Sequence, residues 1–433
     1  MDIRYISESR YPLSYRKDVA QKLGECLHRR QSVNLIGMRR VGISNFLRFF
    51  LYHKDIVPTY IDKQKQHLFI PVDLDDLVER EIYPFWTLTL KRVVDACENS
   101  AMPEETKAKI NSLFLTSIQS QDLFFVIDAV RQALVKTVES GISPTLFFLR
   151  FDRLQDAFNP SFFDNLEGLY AATHDQLSYV FTSYRSLDTL FPTAKTTLSV
   201  FAQKMFLPPA MIADMKIVYE AYQHRYHLDL TDDVEQSLFS LVQGNIQYLQ
   251  LALIILHEKR DENITTADQL QEVLLSDERI VLESEELWES LNKEEQRVLL
   301  QVANKQPLQG EDKVVASYLW DTGFLTEKNL LFSPLLEQYV LQKEPQTVQK
   351  IEEVHLTRKE NLLFVLLESQ IGEICEREDI IAKVWPEYQE FGVSDWAIDR
   401  LVARVRVKLR EQQSPYEIVT VRTRGYKLSK AKE

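Results

Sequence analysis

The stretch Val33 to Phe50, VNLIGMRRVGISNFLRFF, has the spacing of a loop that could hold a phosphate. Gly37 is followed after four residues by Gly42, and Ser44 stands two positions further on. In the pattern G-x-x-x-x-G-K-[ST], backbone N–H groups cradle the phosphates, a lysine reaches the terminal ones and a hydroxyl holds magnesium. Here the lysine position is Ile43. Arg39 and Arg40 lie inside the loop and could bring charge from another angle, as planar forks rather than a point charge. Asp152, near the end of the apolar run TLFFLRFDRL, is an acid that could orient a magnesium ion, and the residue beside it is Arg153, which cannot accept a proton. Phosphoryl transfer rests on positioning and electrostatics, so these replacements argue against hydrolysis. Two readings stay open for Gly37, Gly42 and Ser44. The favoured one is a structural strand-to-helix turn; the other is a site for ATP or ADP, with magnesium only if the nucleotide binds.

A second chemistry lies at the other end. From Arg400 to Lys432 ten basic residues stand against two acidic ones, in a chain of formal net charge −13. Within VSDWAIDRLVARVRVKLREQ, Ile398, Leu401, Val402, Val405 and Leu409 form one apolar helical stripe. Arg400, Arg404, Arg406 and Arg410 fall away from that stripe, with Lys408 at its margin, and Ser394 or Asp395 can cap the start. The next segment, YEIVTVRTRGYKLS, alternates β-branched and polar residues around Gly425, a hairpin pattern that adds Arg422, Arg424 and Lys427. A cationic helix can enter the major groove of duplex DNA while a basic hairpin reaches phosphates or the minor groove. A solvated basic face without a partner is the plainer alternative, and the hairpin arginines weigh against it.

Both sets of residues need a scaffold. At 433 residues the chain is long enough for about two to four domains. With 45% hydrophobic and 27% charged residues, and only 11 glycines, it reads as a helix-rich globular protein. Apolar runs at 33–37, 67–74, 145–154 and 177–186 alternate with helical stretches and predict a parallel α/β sheet. Cys26, Cys97 and Cys375 lie far apart, which disfavours a disulfide framework or zinc site. No paired metal spacing appears among the histidines; His224 and His227 belong to a polar helix. Asp73, Asp75 and Asp76 follow a strand and read as a helix-capping cluster rather than a calcium loop. No apolar run approaches the ~20 residues of a membrane span, and the N-terminus lacks an apolar signal stretch. A cytoplasmic protein without a membrane partner is expected.

The carboxyl-terminal pieces resemble the OmpR/PhoB-type winged-helix domain of bacterial response regulators. The resemblance rests on Leu356-Thr357, Lys359-Glu360, Gly372, Arg377-Glu378, Trp385, Asp399, the RVRVKL of the third helix and TVRTRGYKL in the wing. It implies that Arg404 contacts bases, and that Arg406 and the Trp385 indole contact phosphates. It further implies that Thr420 lies near DNA and that Arg422 reaches into the minor groove. Arg400, Lys408 and Arg424 complete the expected DNA-facing set. Thr423 stands where that family usually has glycine, and Leu401 replaces a histidine-like position, so the base preference should differ.

The amino-terminal order of strand, loop and helix, then an acid-terminated strand, then a strand ending in Thr182, Ser183 and Arg185, resembles AAA and STAND-type P-loop NTPases. LVQGNIQYLQLALIIL is similar to their lid helix, with Ile246 at its G-x-P proline, and LNKEEQRVLLQVAN onward resembles the winged helix that follows the lid. The receiver domain that commonly precedes an OmpR/PhoB-type winged helix has no counterpart pattern. The expected class is therefore α/β, a P-loop NTPase-like parallel sheet with a helical lid and two winged helices. The expected division is 1–205 for the degenerate NTPase-like domain, 206–282 for the lid, 283–343 for the first winged helix, 344–355 for a polar linker and 356–433 for the DNA-binding domain. The expected function is sequence-specific regulation of transcription on double-stranded DNA, by a homodimer or larger homo-oligomer, with a front portion that senses a protein partner or assembles. The alternative is an ATP-binding switch whose winged helices mediate DNA or protein assembly.

Overall fold

The structure, a computed structural model, describes residues 6–77, 79–154, 160–192, 202–228, 230–260, 264–343, 358–385, 395–411, 414, 416–421 and 424–430. The chain divides into two compact units, Met1–Pro345 and Gln346–Glu433. The expected linker 344–355, the cap candidate Ser394, and Arg422 and Thr423 lie outside the described residues.

In the first unit, α1 (Lys17–His28) precedes β1 (Ser32–Ile36), and α2 (Ile43–Tyr52) follows it. Next come β2 (Gln66–Asp73), α3 (Ile82–Glu98), α4 (Glu104–Ser120), α5 (Leu123–Glu139), β3 (Ile142–Leu149), α6 (Pro160–Ala172), β4 (Ser178–Ser183), α7 (Leu187–Leu190) and β5 (Ala202–Phe206). The strands form a five-stranded parallel sheet in the order β2-β3-β4-β1-β5. Every residue of β1 and β4 is buried, as expected where helices cover both faces of a parallel sheet.

The two-residue period of a strand divides the side chains between two cores. Phe147 and Val180 pack on one side with Leu35, Phe46 and Phe50. Phe148, Tyr179 and Phe181 pack on the other with Ile70, Phe85 and Trp86. A polar exception fixes the centre. Asn34 on β1 donates to Ser183 Oγ at 2.9 Å and accepts from the Leu187 N–H at 3.0 Å, tying β1, β4 and α7 together.

Helices α8 (Ile212–Tyr226), α9 (Asp232–Val242), α10 (Ile246–Glu258), α11 (Ala267–Ser276) and α12 (Glu278–Glu289) follow, and their starts are written in the sequence. Thr231, Asn245, Thr266 and Asp277 each accept a backbone N–H of the helix they open. Then come α13 (Lys293–Ala303), α14 (Asp312–Val315), α15 (Ser317–Asp321) and α16 (Pro334–Leu341). Between the last two, Leu325 and Leu331 form an isolated antiparallel bridge, which is the only wing-like pairing here among the described residues. Leu249, Leu287, Val298 and Leu336 belong to the same core as Leu35 and Phe46, so these helices complete one side of the sheet.

The second unit contains α17 (Arg358–Ser369), β6 (Cys375–Glu376), α18 (Arg377–Val384), α19 (Asp395–Glu411), β7 (Tyr416–Val421) and β8 (Gly425–Lys430). The strands pair antiparallel in the order β6-β8-β7. Leu363, Ile380, Val402, Val405, Ile418 and Leu428 form a core of their own. Gly425 is required by close approach: a Cβ there would lie 2.0 Å from the Cys375 carbonyl oxygen.

Candidate nucleic-acid interface and phosphate loop

Helix α19 carries the basic residues of the second unit. Its stripe of Ile398, Leu401, Val402, Val405 and Leu409 is buried, which fixes how the helix is rotated. Ala403, Val407 and Arg410 are consequently exposed, with Arg400 and Arg404 half-buried beside them. Arg406 turns toward the hairpin. Its Nε donates to the Ile418 carbonyl at 2.8 Å and Nη2 donates to Thr420 Oγ1 at 2.7 Å, so helix and wing are braced by one guanidinium. Burial among these partners lowers the Arg406 pKa, partly offset by the phenol oxygen of Tyr426.

Other cations are engaged within the unit. Lys408 Nζ lies 2.6 Å from Glu360, a residue with no exposed surface. Such a buried carboxylate needs a charged partner, and the margin position of Lys408 supplies it. Arg377 Nη2 lies 2.7 Å from Asp399, which also accepts the Tyr426 hydroxyl. Arg424 is exposed, 3.7 Å from Glu376. Trp385 is buried in the core with Lys359 Nζ 5.3 Å from its ring centroid. Of the expected DNA-facing residues, the structure thus brings Arg406 and Thr420 together and sets Lys408 on an internal carboxylate; Arg422 is outside the described residues.

The phosphate-loop residues occupy the other unit. Gly42 caps α2 with φ of 105°, a backbone conformation that favours glycine. A Cβ on Gly37 would meet Val41 Cγ1 at 3.0 Å and Ile43 Cδ1 at 3.1 Å, so both side chains fold back over that glycine. A Cβ on Gly42 would meet Ile246 Cγ1 at 2.7 Å. Ile246, the first residue of α10, packs directly on the loop. Ser44 is exposed.

The two loop arginines have separate partners. Arg40 Nε donates to Glu286 Oε2 at 2.8 Å and lies 3.5 Å from Glu283, both on α12. Arg39 stacks 4.5 Å from the Tyr184 ring centroid. Asp152 departs from its expected place at a strand end: β3 stops at Leu149, Arg150 takes φ of 58°, and Asp152 falls in the 3-10 turn Phe151–Leu154. Burial raises its pKa, with Arg39, Arg153 and Arg150 pulling the other way. Arg150 and Arg153 both pair with Asp75, and Arg150 also with Asp73, so the acidic cluster after β2 neutralises the arginines after β3. Among the described residues no group of histidine, cysteine or acidic side chains could hold a metal ion.

The loop carries Ile43 at the lysine position, apolar side chains pack against Gly37 and Gly42 where a Cβ would stand, and Arg40 is paired with α12. Around the loop runs a set of internal ties. Arg16, itself buried, donates from Nη1 to the Pro208 carbonyl at 2.6 Å and from Nη2 to the Val41 carbonyl at 3.2 Å. Its backbone N–H donates to Asp214 Oδ1 at 2.7 Å. Arg185 grips Glu295 with two bonds of 2.6 Å and stacks 3.7 Å from the Tyr318 ring centroid. Glu295 also closes the capping box of Asn292 at the start of α13. Sequence reasoning missed Arg16, Asp214, Glu286 and Glu295; the pairs Arg16–Asp214, Arg40–Glu286 and Arg185–Glu295 each join residues more than a hundred positions apart.

The fold is a five-stranded parallel sheet flanked by helices, followed in sequence by a small unit of helices and a three-stranded antiparallel sheet. Residues 351–428 match the family described as "Transcriptional regulatory protein, C terminal". Among solved structures the chain is similar to a Walker-type ATPase of Pyrococcus abyssi, at 14% identity over 75% of this chain and 95% of that one, with a TM-score of 0.47. It is similar to the ORC2 protein of Aeropyrum pernix in its ADPNP–ADP complexes, at 12% identity over 78% and 96% of the two chains, with a TM-score of 0.46. The Aeropyrum pernix ORC1 protein in complex with DNA matches at 11% identity over 100% and 93%, with a TM-score of 0.39. A search of curated proteins finds no match. No helix among the described residues is long and apolar enough to cross a membrane.

Proposed function

We propose that the protein is a transcription regulator that binds double-stranded DNA in a sequence-specific way through α19 and the β7–β8 hairpin. The observation that carries this reading is the rotation of α19, which buries one stripe and leaves Arg400, Arg404 and Arg410 off it, with Arg406 bracing the helix to Thr420 of the wing. The family match over 351–428 supports it. Arg404 serves as the base reader, while Arg406, Arg424 and Arg422 serve the phosphates and the minor groove. One small winged helix neutralises few phosphates, so two copies acting together account better for useful affinity.

The amino-terminal unit serves as a sensory or oligomerisation module, organised as an NTPase-like portion to 205, a lid over 206–282 and a first winged helix over 283–343. Its loop does structural duty and turns over no nucleotide. Ile246 on Gly42 and Arg40 on Glu286 support that part. The test is selection from a pool of random duplexes by the full chain. Enrichment of a repeated motif with half-sites about 10–11 base pairs apart is expected. Recovery of the pool unchanged over successive rounds refutes sequence-specific binding.

A further inference from the structure

The exposed face of α19 is not uniformly cationic. At 3.6 residues per turn, Val407 falls nearly opposite the buried stripe of Ile398, Leu401, Val402, Val405 and Leu409. Arg400 and Arg404 flank it on one side, and Ala403 and Arg410 on the other. Val407 is 50% exposed and Ala403 is exposed as well. A helix that served phosphates alone would gain from a cation at the middle of its outer face. A β-branched residue there also brings no advantage in helix propensity. The centre of this face is instead a small apolar strip bordered by guanidinium groups.

We propose that Val407, with Ala403 beside it, is a specificity-determining contact for thymine C5-methyl groups in the major groove. The inference rests on the DNA-binding reading above and deepens it. The thymine methyl is the apolar feature of the major-groove edge, and alanine-sized or branched side chains match it, while arginine matches guanine O6 and N7. The arrangement therefore selects a site in which thymines occupy the middle of each half-site and the arginines reach guanines or phosphates around them. A valine cannot donate or accept a hydrogen bond, so discrimination here comes from methyl burial alone.

The experiment uses the full chain and the duplex enriched from the random pool, made once with thymidine and once with deoxyuridine, which lacks only the methyl. Wild type is expected to lose roughly fourfold in affinity for each contacted methyl removed, the equivalent of one buried methyl-sized group. Val407→Ser should bind the thymidine duplex more weakly and show little further loss on deoxyuridine, with an unchanged dependence on salt. Equal affinity of wild type for both duplexes overturns the proposal. So does a Val407→Ser protein that keeps the full sensitivity to deoxyuridine, because the methyls are then read elsewhere. If no duplex is enriched and none is bound at low salt, the DNA-binding reading itself fails, and this inference with it.

Discussion

Ile246 lies against Gly42 so closely that a single added carbon on the glycine would approach its Cγ1 to 2.7 Å. Ile246 at the start of α10 and Gly42 at the start of α2 form one packing contact. Substituting Gly42 by alanine therefore meets two penalties, the positive φ and the clash. Gly42→Ala is expected to destabilise the first unit by about 1–3 kcal/mol, seen as a lower denaturation midpoint. Adding Ile246→Ala should recover part of that loss, since the space then opens. A Gly42→Ala protein of unchanged stability contradicts the packing.

Nucleotide should leave this unit unaffected. Ligand that binds the folded state raises its stability by RT ln(1 + [L]/Kd). Magnesium and ATP at millimolar concentration are expected to leave the thermal midpoint where it is, and Ile43→Lys alone should not change this, because Ile246 and the α12 carboxylates remain. A clear upward shift with wild type reinstates the nucleotide-switch reading.

In the Arg185–Glu295 pair Glu295 is buried and Arg185 half-buried, with side-chain exposures of 3% and 12%. Removing one partner strands a charge, at a cost of about 3–5 kcal/mol, whereas replacing both by apolar residues costs far less. Arg185→Met should therefore lower the midpoint sharply, and Arg185→Met with Glu295→Leu should recover much of it. Denaturant titrations of the two variants read the difference. The recovery is limited by the capping box, which Glu295→Leu also breaks.

Acid stability carries a signature of His67. Burial, aided by the charge of Arg30, pushes its pKa down to about 4. An unfolded histidine takes up a proton near pH 6.5, so acidification from about pH 6.5 to 4 favours the unfolded chain, and the stabilisation present above that window is lost through it. His67→Leu should flatten the fall of thermal midpoint across that range. The same slope in both proteins contradicts this account.

Much of the scaffold is legible in the residues. The strand runs ending near Ile36, Asp73 and Ser183 follow from apolar stretches, and α19 from its stripe, because period and burial are local properties. β3 stops earlier than its apolar run suggests, since Arg150 adopts a left-handed backbone that no pattern marks. β5 is short and mixes Lys204 and Gln203 with apolar residues, which hides it until β1 is beside it. At the sites, the missing lysine was readable but its consequence was not. Only the folded chain brings Ile246 and Glu286 to the loop, and Glu360 to Lys408, through side chains far apart in sequence.

The salt dependence of duplex binding reads the central claim most directly. Fluorescence anisotropy of a labelled duplex, titrated with the full chain at increasing salt, yields the number of phosphates engaged from the slope of log K against log salt. The account predicts binding at low ionic strength with a steep negative slope. Arg406→Ala should reduce that slope by about 1, and Arg404→Ala should mainly relax sequence preference. Absence of binding to any duplex at low salt, or a slope near zero, contradicts it.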